Sequence, residues 1–120
     1  MSNPAFEVTS TKNAPSAIGP YSQAIAVNGF LFSSGQIALN PENGEIVGTT
    51  IQEQAEQCCK NIGAILEANK LTFLDVIKTT CFLAEMSDFA AFNEVYGKYF
   101  TGNLCIFLCT IRENCAIITP

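Results

Sequence analysis

Ala17-Ile-Gly-Pro-Tyr-Ser-Gln-Ala24, followed by Leu31-Phe-Ser-Ser-Gly-Gln-Ile-Ala-Leu39, is the stretch on which the reading of this chain turns. Gly19-Pro20 signals a turn, because glycine permits unusual dihedrals and proline fixes φ. The turn places Tyr21 at the mouth of a strand from Ala24 to Val27. Asn28-Gly29 is a two-residue hairpin signal, since both central residues must tolerate positive φ. The returning strand, Phe30 to Ser33, runs into Ser34-Gly35-Gln36. A tyrosine, two serines, a glycine and a glutamine are thereby gathered at the ends of one hairpin. From chemistry alone two readings stand open. The cluster lines a pocket, or Tyr21 is an amphipathic wall residue and Ser34-Gly35 a strand bulge.

Working outward, Phe6-Glu-Val8 is a short first strand and Thr9 to Ser16 a loop. Asn40-Pro41 and Asn43-Gly44 make a polar, turn-rich connection. Thr50-x-x-Glu53 fits a capping box at a helix start. Behind it Ile51, Ala55, Cys58, Cys59, Ile62, Ile65 and Leu66 recur at three- and four-residue steps. That predicts an amphipathic helix ending near Ala68-Asn69, with Gln52, Glu56, Lys60 and Glu67 on a wet face. Val76 to Ala84 has the β-branched, apolar composition of a central strand. Ser87 is placed to cap a second helix, with Asp88 in its first turn. Phe89, Phe92, Tyr96 and Tyr99 line one face of that helix. Asn93, four residues after Phe89, falls on the same stripe, where an amide needs a buried partner. Gly102 fits a left-handed helix cap. Leu104 to Ile111 suits a buried strand, Arg112-Glu113-Asn114 a turn, and Cys115 to Thr119 a last edge strand. The expected fold class is α+β, a two-layer sandwich: two helices on one face of a mostly antiparallel mixed sheet, a single domain over residues 1–120.

Composition narrows the function. The 120 residues carry only 14% charged against 48% hydrophobic side chains, so a monomer would expose much apolar surface. Association into an oligomer is the simplest remedy. Net charge is −5 and no basic run occurs, so electrostatic capture of nucleic acid is poorly supported. No apolar run is long enough for a membrane span, and the N-terminus lacks a charged start and apolar core, which places the expected location in the cytosol. The six cysteines, at 58, 59, 81, 105, 109 and 115, form no C-x-x-C pair, and histidine is absent. They read as reduced, buried thiols rather than metal ligands; neither metal nor cofactor is expected.

Ile18-Gly-Pro-Tyr-Ser-Gln23 and Ser34-Gly-Gln-Ile37 resemble the opening motifs of the RidA family, reactive-intermediate deaminases also known as YjgF proteins and as "endoribonuclease L-PSP". Asn40-Pro-Glu-Asn-Gly-Glu45, Val76-Ile-Lys-Thr-Thr80 and Met86-Ser-Asp-Phe-Ala-Ala-Phe-Asn-Glu-Val-Tyr96 continue the resemblance in order and spacing. It covers roughly Ser10 to Asn103. It implies a chorismate mutase-like sandwich assembled as a homotrimer with clefts between subunits. It also implies hydrolysis of 2-imino acids, such as 2-iminobutanoate and 2-iminopropanoate, to 2-keto acids and ammonia.

Carried over by position, Tyr21, Ser34, Gly35, Phe89 and Asn93 match the family's substrate-binding residues. The reaction also needs a cation for the substrate carboxylate, ideally a bidentate arginine, and a polar group to position water. The family places that arginine in a Pro-Ala-Arg-Ser-like motif after the second helix, and a glutamate on its last strand. This chain reads Phe107-Leu-Cys-Thr-Ile-Arg112, which sets Thr110 at the arginine position, and its last strand has no glutamate. The catalytic group is thus unassigned. Arg112 is a candidate under one of two readings: a solvated turn residue, or a cation reaching a neighbouring subunit's pocket. A catalytically impaired homologue that binds a small metabolite or a protein partner in the same cleft is the alternative function.

Overall fold

The computed structural model of the chain describes residues 5–102, 106–111 and 118–119. Strands β1 (Phe6–Thr9), β2 (Ala24–Val27) and β3 (Phe30–Ser33) form an antiparallel meander. The Asn28-Gly29 turn that joins β2 to β3 has φ of 51° and 80°, as the primed hairpin turn requires. Helix α1 (Ile51–Ala68) follows, then a 3-10 turn at Phe73–Asp75 and strand β4 (Lys78–Leu83). A second 3-10 turn at Met86–Asp88 leads into helix α2 (Phe89–Tyr99), and strands β5 (Ile106–Ile111) and β6 (Ile118–Thr119) complete the order.

The mixed, mostly antiparallel pairing expected from the sequence is present in two halves. The second sheet has the order β5-β4-β6, with β5 parallel and β6 antiparallel to β4. Helix α1 serves both halves. Its Ile65 packs with Ala14 and Ala24 over the meander, and its Cys58 and Cys59 pack with Cys81, Leu83 and the aromatic face of α2. These α+β layers enclose the core. Tyr96 stacks on Phe100 with ring centroids 4.2 Å apart, and its hydroxyl pairs with Thr79 Oγ1 at 2.7 Å inside the core.

Local signals explain most boundaries. Thr50 Oγ1 accepts the Glu53 N–H at 3.2 Å and caps α1 where the S/T-x-x-E pattern places it. Gly63 leaves room for Phe73, whose ring lies 3.2 Å from where a Cβ would stand. Three expectations are corrected. Ser87 does not cap α2; it sits inside the preceding 3-10 turn, and its hydroxyl donates to Glu85 at 3.3 Å. Gly102 lies beyond α2, whose C-cap is Phe100, and it does not take positive φ. Glu56 is not on a wet face but half-buried, where its carboxylate accepts the Tyr99 hydroxyl across the α1–α2 contact.

Candidate functional site

The hairpin ends are tied together by hydrogen bonds that begin at Gly19-Pro20. The Tyr21 N–H donates to the Gly19 carbonyl at 2.8 Å, a γ-turn centred on Pro20, whose ring presets the needed φ. The phenol folds back over this turn, and its hydroxyl accepts the Ile18 N–H at 3.4 Å. Tyr21 is 51% exposed, so the ring forms a rim and not a core contact.

Ser34 holds this rim to the sheet. Its N–H donates to Gln23 O at 3.0 Å, extending the β2–β3 ladder by one pair, and its hydroxyl donates to Ser22 O at 2.6 Å. Gly35 follows, exposed, and Gln36 turns inward with its amide donating to Ser34 O at 3.2 Å. The Ser34 hydroxyl is therefore committed to fixing the turn that carries Tyr21.

Two residues not singled out by sequence reasoning support this wall. Gln23 is buried. It accepts the Thr11 N–H at 2.7 Å and donates to the carbonyls of Thr11, Ala14 and Pro15, clamping the 11–15 loop against the start of β2. Asn61, on α1, has no exposed surface. Its Nδ2 donates to the Ile37 and Leu39 carbonyls, and its Oδ1 accepts Gln57 Nε2 at 2.8 Å. The signal for Asn61 was a polar residue inside an apolar helix stripe, one step before Ile62.

Phe89 and Asn93 lie on α2, away from this hairpin. Phe89 is half-buried against Phe107 at 6.3 Å. Asn93 is exposed, which corrects the expectation of a buried partner for its amide. The buried residues Phe92, Val95 and Tyr96 set the core-facing side of α2. At 100° per residue, Asn93 is turned well away from the centre of that side. Among the described residues, no hydrogen bond or ring contact joins Tyr21, Ser34 or Gly35 to Phe89 or Asn93. Arg112 and Glu113 lie outside the described residues, as does most of the expected last strand.

Cys58, Cys59 and Cys81 are buried, and the thiols of Cys58 and Cys59 are free. Burial pushes Cys58 and Cys59 up to about 12. Among the described residues no group of three or more His, Cys, Asp or Glu is placed to hold a metal ion, and no helix is long and apolar enough to cross a membrane.

Beside the hairpin, β1, β2 and β3 turn an apolar face outward. Phe6, Val27 and Phe30 form one cross-strand row and Val8, Ile25 and Phe32 the next. Phe6, Val8, Phe30 and Phe32 are each more than half exposed.

Comparison with known proteins agrees with this fold. The family profile for Endoribonuclease L-PSP matches residues 11–110. A RutC family protein of Pyrococcus horikoshii is 54% identical over 94 residues, spanning 78% of this chain and 75% of that protein. The mouse protein named 2-iminobutanoate/2-iminopropanoate deaminase is 47% identical over 104 residues, 87% of this chain and 77% of the relative. The crystal structure of YyfA, a Rid-family protein from Yersinia pestis, superposes with a TM-score of 0.88 at 38% identity, over 96% of this chain and 98% of that one. On its motifs, its fold and these matches, the chain belongs to the RidA/YjgF family, described as Endoribonuclease L-PSP.

Proposed function

We propose that this chain hydrolyses reactive 2-imino acids in a cleft completed by a second copy of itself, within a homotrimer. The observation that carries the reading is the bond from Ser34 Oγ to the Ser22 carbonyl, which fixes Tyr21 as a rim beside an open apolar sheet face. Burying that face against other copies would remove more than half-exposed phenylalanines from water, at about 25 cal/mol per Å². It would also bring the α2 face of one copy, with Phe89 and Asn93, towards the hairpin of the next. The deaminase name of the mouse relative supports the substrate class.

In this reading Tyr21 covers the substrate, Ser34-Gly35 shapes the wall, and Asn93 hydrogen-bonds the substrate or the attacking water. Water adds across the C=N bond of the imino acid. The carbinolamine then collapses, the C–N bond breaks, and ammonia leaves with a 2-keto acid. Overall, one water is consumed for each ammonia released.

Thr110, at the family's arginine position, favours a second reading. A neutral hydroxyl does not replace a guanidinium against a carboxylate, and losing such a buried pair costs about 2–5 kcal/mol. The second reading is a cleft that binds small carboxylates with little turnover. The test is ammonia release from imine generated by a pyridoxal-phosphate dehydratase. Acceleration over buffer supports the hydrolase. Saturable binding of a 2-keto acid without acceleration supports the second reading. The acidic charge and lack of histidine give no support to RNA cleavage.

A further inference from the structure

The sequence holds two Asn-Gly pairs, Asn28-Gly29 and Asn43-Gly44. Glycine has no side chain to shield its amide nitrogen, so in such a pair that nitrogen can reach the Cγ of the preceding asparagine. Attack there expels ammonia. Both pairs are exposed, and both glycines take positive φ, 80° at Gly29 and 72° at Gly44. Access to water and backbone class therefore do not separate the two pairs. Their hydrogen bonds do.

At Asn43 both reacting groups are held. The Gly44 N–H donates to the Asn40 carbonyl at 2.8 Å, and Asn43 Oδ1 accepts the Glu45 N–H at 2.9 Å. The nucleophile and the carbon it must meet are each anchored to something else. At Asn28 neither is. The pair that closes the two-residue turn is Val27 with Phe30, which leaves the Gly29 N–H outside the ladder. Among the described residues, no hydrogen bond holds the Gly29 N–H or the Asn28 side chain. Apart from its chain neighbours, nothing lies within 4 Å of where a Gly29 Cβ would stand, so the turn has room to deform.

We propose that Asn28 is a modification site, deamidating through a succinimide to isoaspartate and aspartate, and that its hydrogen bonds hold Asn43 out of the same reaction. Solvent base takes the Gly29 amide proton. The nitrogen bonds to Asn28 Cγ, the Cγ–Nδ2 bond breaks, and Nδ2 leaves as ammonia with a proton from water. Water then opens the ring at either carbonyl, so one water is consumed and one ammonia released. Opening at the main-chain carbonyl gives isoaspartate, which adds a methylene to the backbone inside the turn. The Val27–Phe30 pair closes directly on that turn, so the lengthened link loosens the first rung of the β2–β3 ladder. Either product adds a carboxylate to a chain of net charge −5. The proposal is independent of imine hydrolysis.

The full chain is aged in mildly alkaline buffer, with a parallel sample in guanidinium chloride. Aliquots are digested with chymotrypsin and read by tandem mass spectrometry, and isoaspartate is counted by enzymatic methylation. The expected result is conversion of Asn28 at least about tenfold faster than Asn43 in the folded chain, since two hydrogen bonds must open before Gly44 can attack. In guanidinium chloride the two rates are expected to converge. Equal rates in the folded chain overturn the proposal, as does faster conversion at Asn43. So does an Asn28 that stays intact while the denatured sample converts. A tenfold preference that survives unfolding also overturns it, because flanking sequence and not the fold then sets the rate.

Discussion

The Asn61 amide donates to the Ile37 carbonyl at 3.1 Å and ties the middle of α1 to the segment that leaves β3. It donates equally to Leu39 O, so one buried side chain satisfies two part-buried carbonyls. Asn61→Leu keeps the branched shape and heavy-atom count but removes both donors. It is expected to cost about 2–4 kcal/mol, read as a lower urea midpoint with an unchanged m-value.

Ser34→Ala removes the donor to Ser22 O while leaving the backbone ladder intact. The turn carrying Tyr21 then loses its tether. If the chain is an imine hydrolase, KM is expected to rise roughly two- to tenfold, from a hydrogen bond of about 0.5–1.5 kcal/mol, with circular dichroism unchanged. Steady-state ammonia release checks this.

Thr110 stands in β5 at the register position opposite Phe82. If the chain is an imine hydrolase, Thr110→Arg supplies a cation for the substrate carboxylate. An increase in kcat/KM of at least about thirtyfold is then expected, the factor that corresponds to about 2 kcal/mol. No change in the same assay would show that a missing cation at position 110 is not what limits turnover.

Burial holds the Cys58 and Cys59 thiols at about 12. At pH 8 the thiolate fraction is about one in ten thousand. Iodoacetamide should leave both unmodified in the native chain and modify both in urea, as seen by mass spectrometry. The sign for stability follows from the raised values. The unfolded chain releases these protons near 9.0 while the native chain keeps them to about 12. Their contribution is complete below pH 9.0 and is lost as pH climbs towards 12.

Gly29 has φ of 80° with nothing near its absent Cβ, so the obstacle to a side chain there is the backbone conformation alone. Gly29→Ala should cost about 1 kcal/mol, measured as a fall in Tm.

Much of this fold was legible because its signals are local. The Asn28-Gly29 turn, the Thr50 cap and the apolar stripe of α1 each lie within a few residues of what they specify. The Glu56–Tyr99 bond was not legible, since Glu56 reads as solvated by helix period until α2 packs beside it. Ser87 carries a capping side chain, but an added 3-10 turn moves it ahead of the helix start. Asn93 was misplaced because its neighbours in the stripe were read without Val95, which shifts the buried side of α2. In the candidate site, Tyr21 and Ser34 could be read from one hairpin, whereas Gln23 and Asn61 act on backbone far away in sequence. No spacing rule announces such contacts.

The two sheets also differ in how far the chain must travel to close them. β2 meets β3 across the tightest loop available, whereas β4 and β5 lie side by side only after the whole of α2 has been traversed. Loop-closure entropy therefore favours the meander as the earlier unit to assemble. Synthesis from the N-terminus reinforces that order, because the meander leaves the ribosome before α2 exists to bridge the parallel pair.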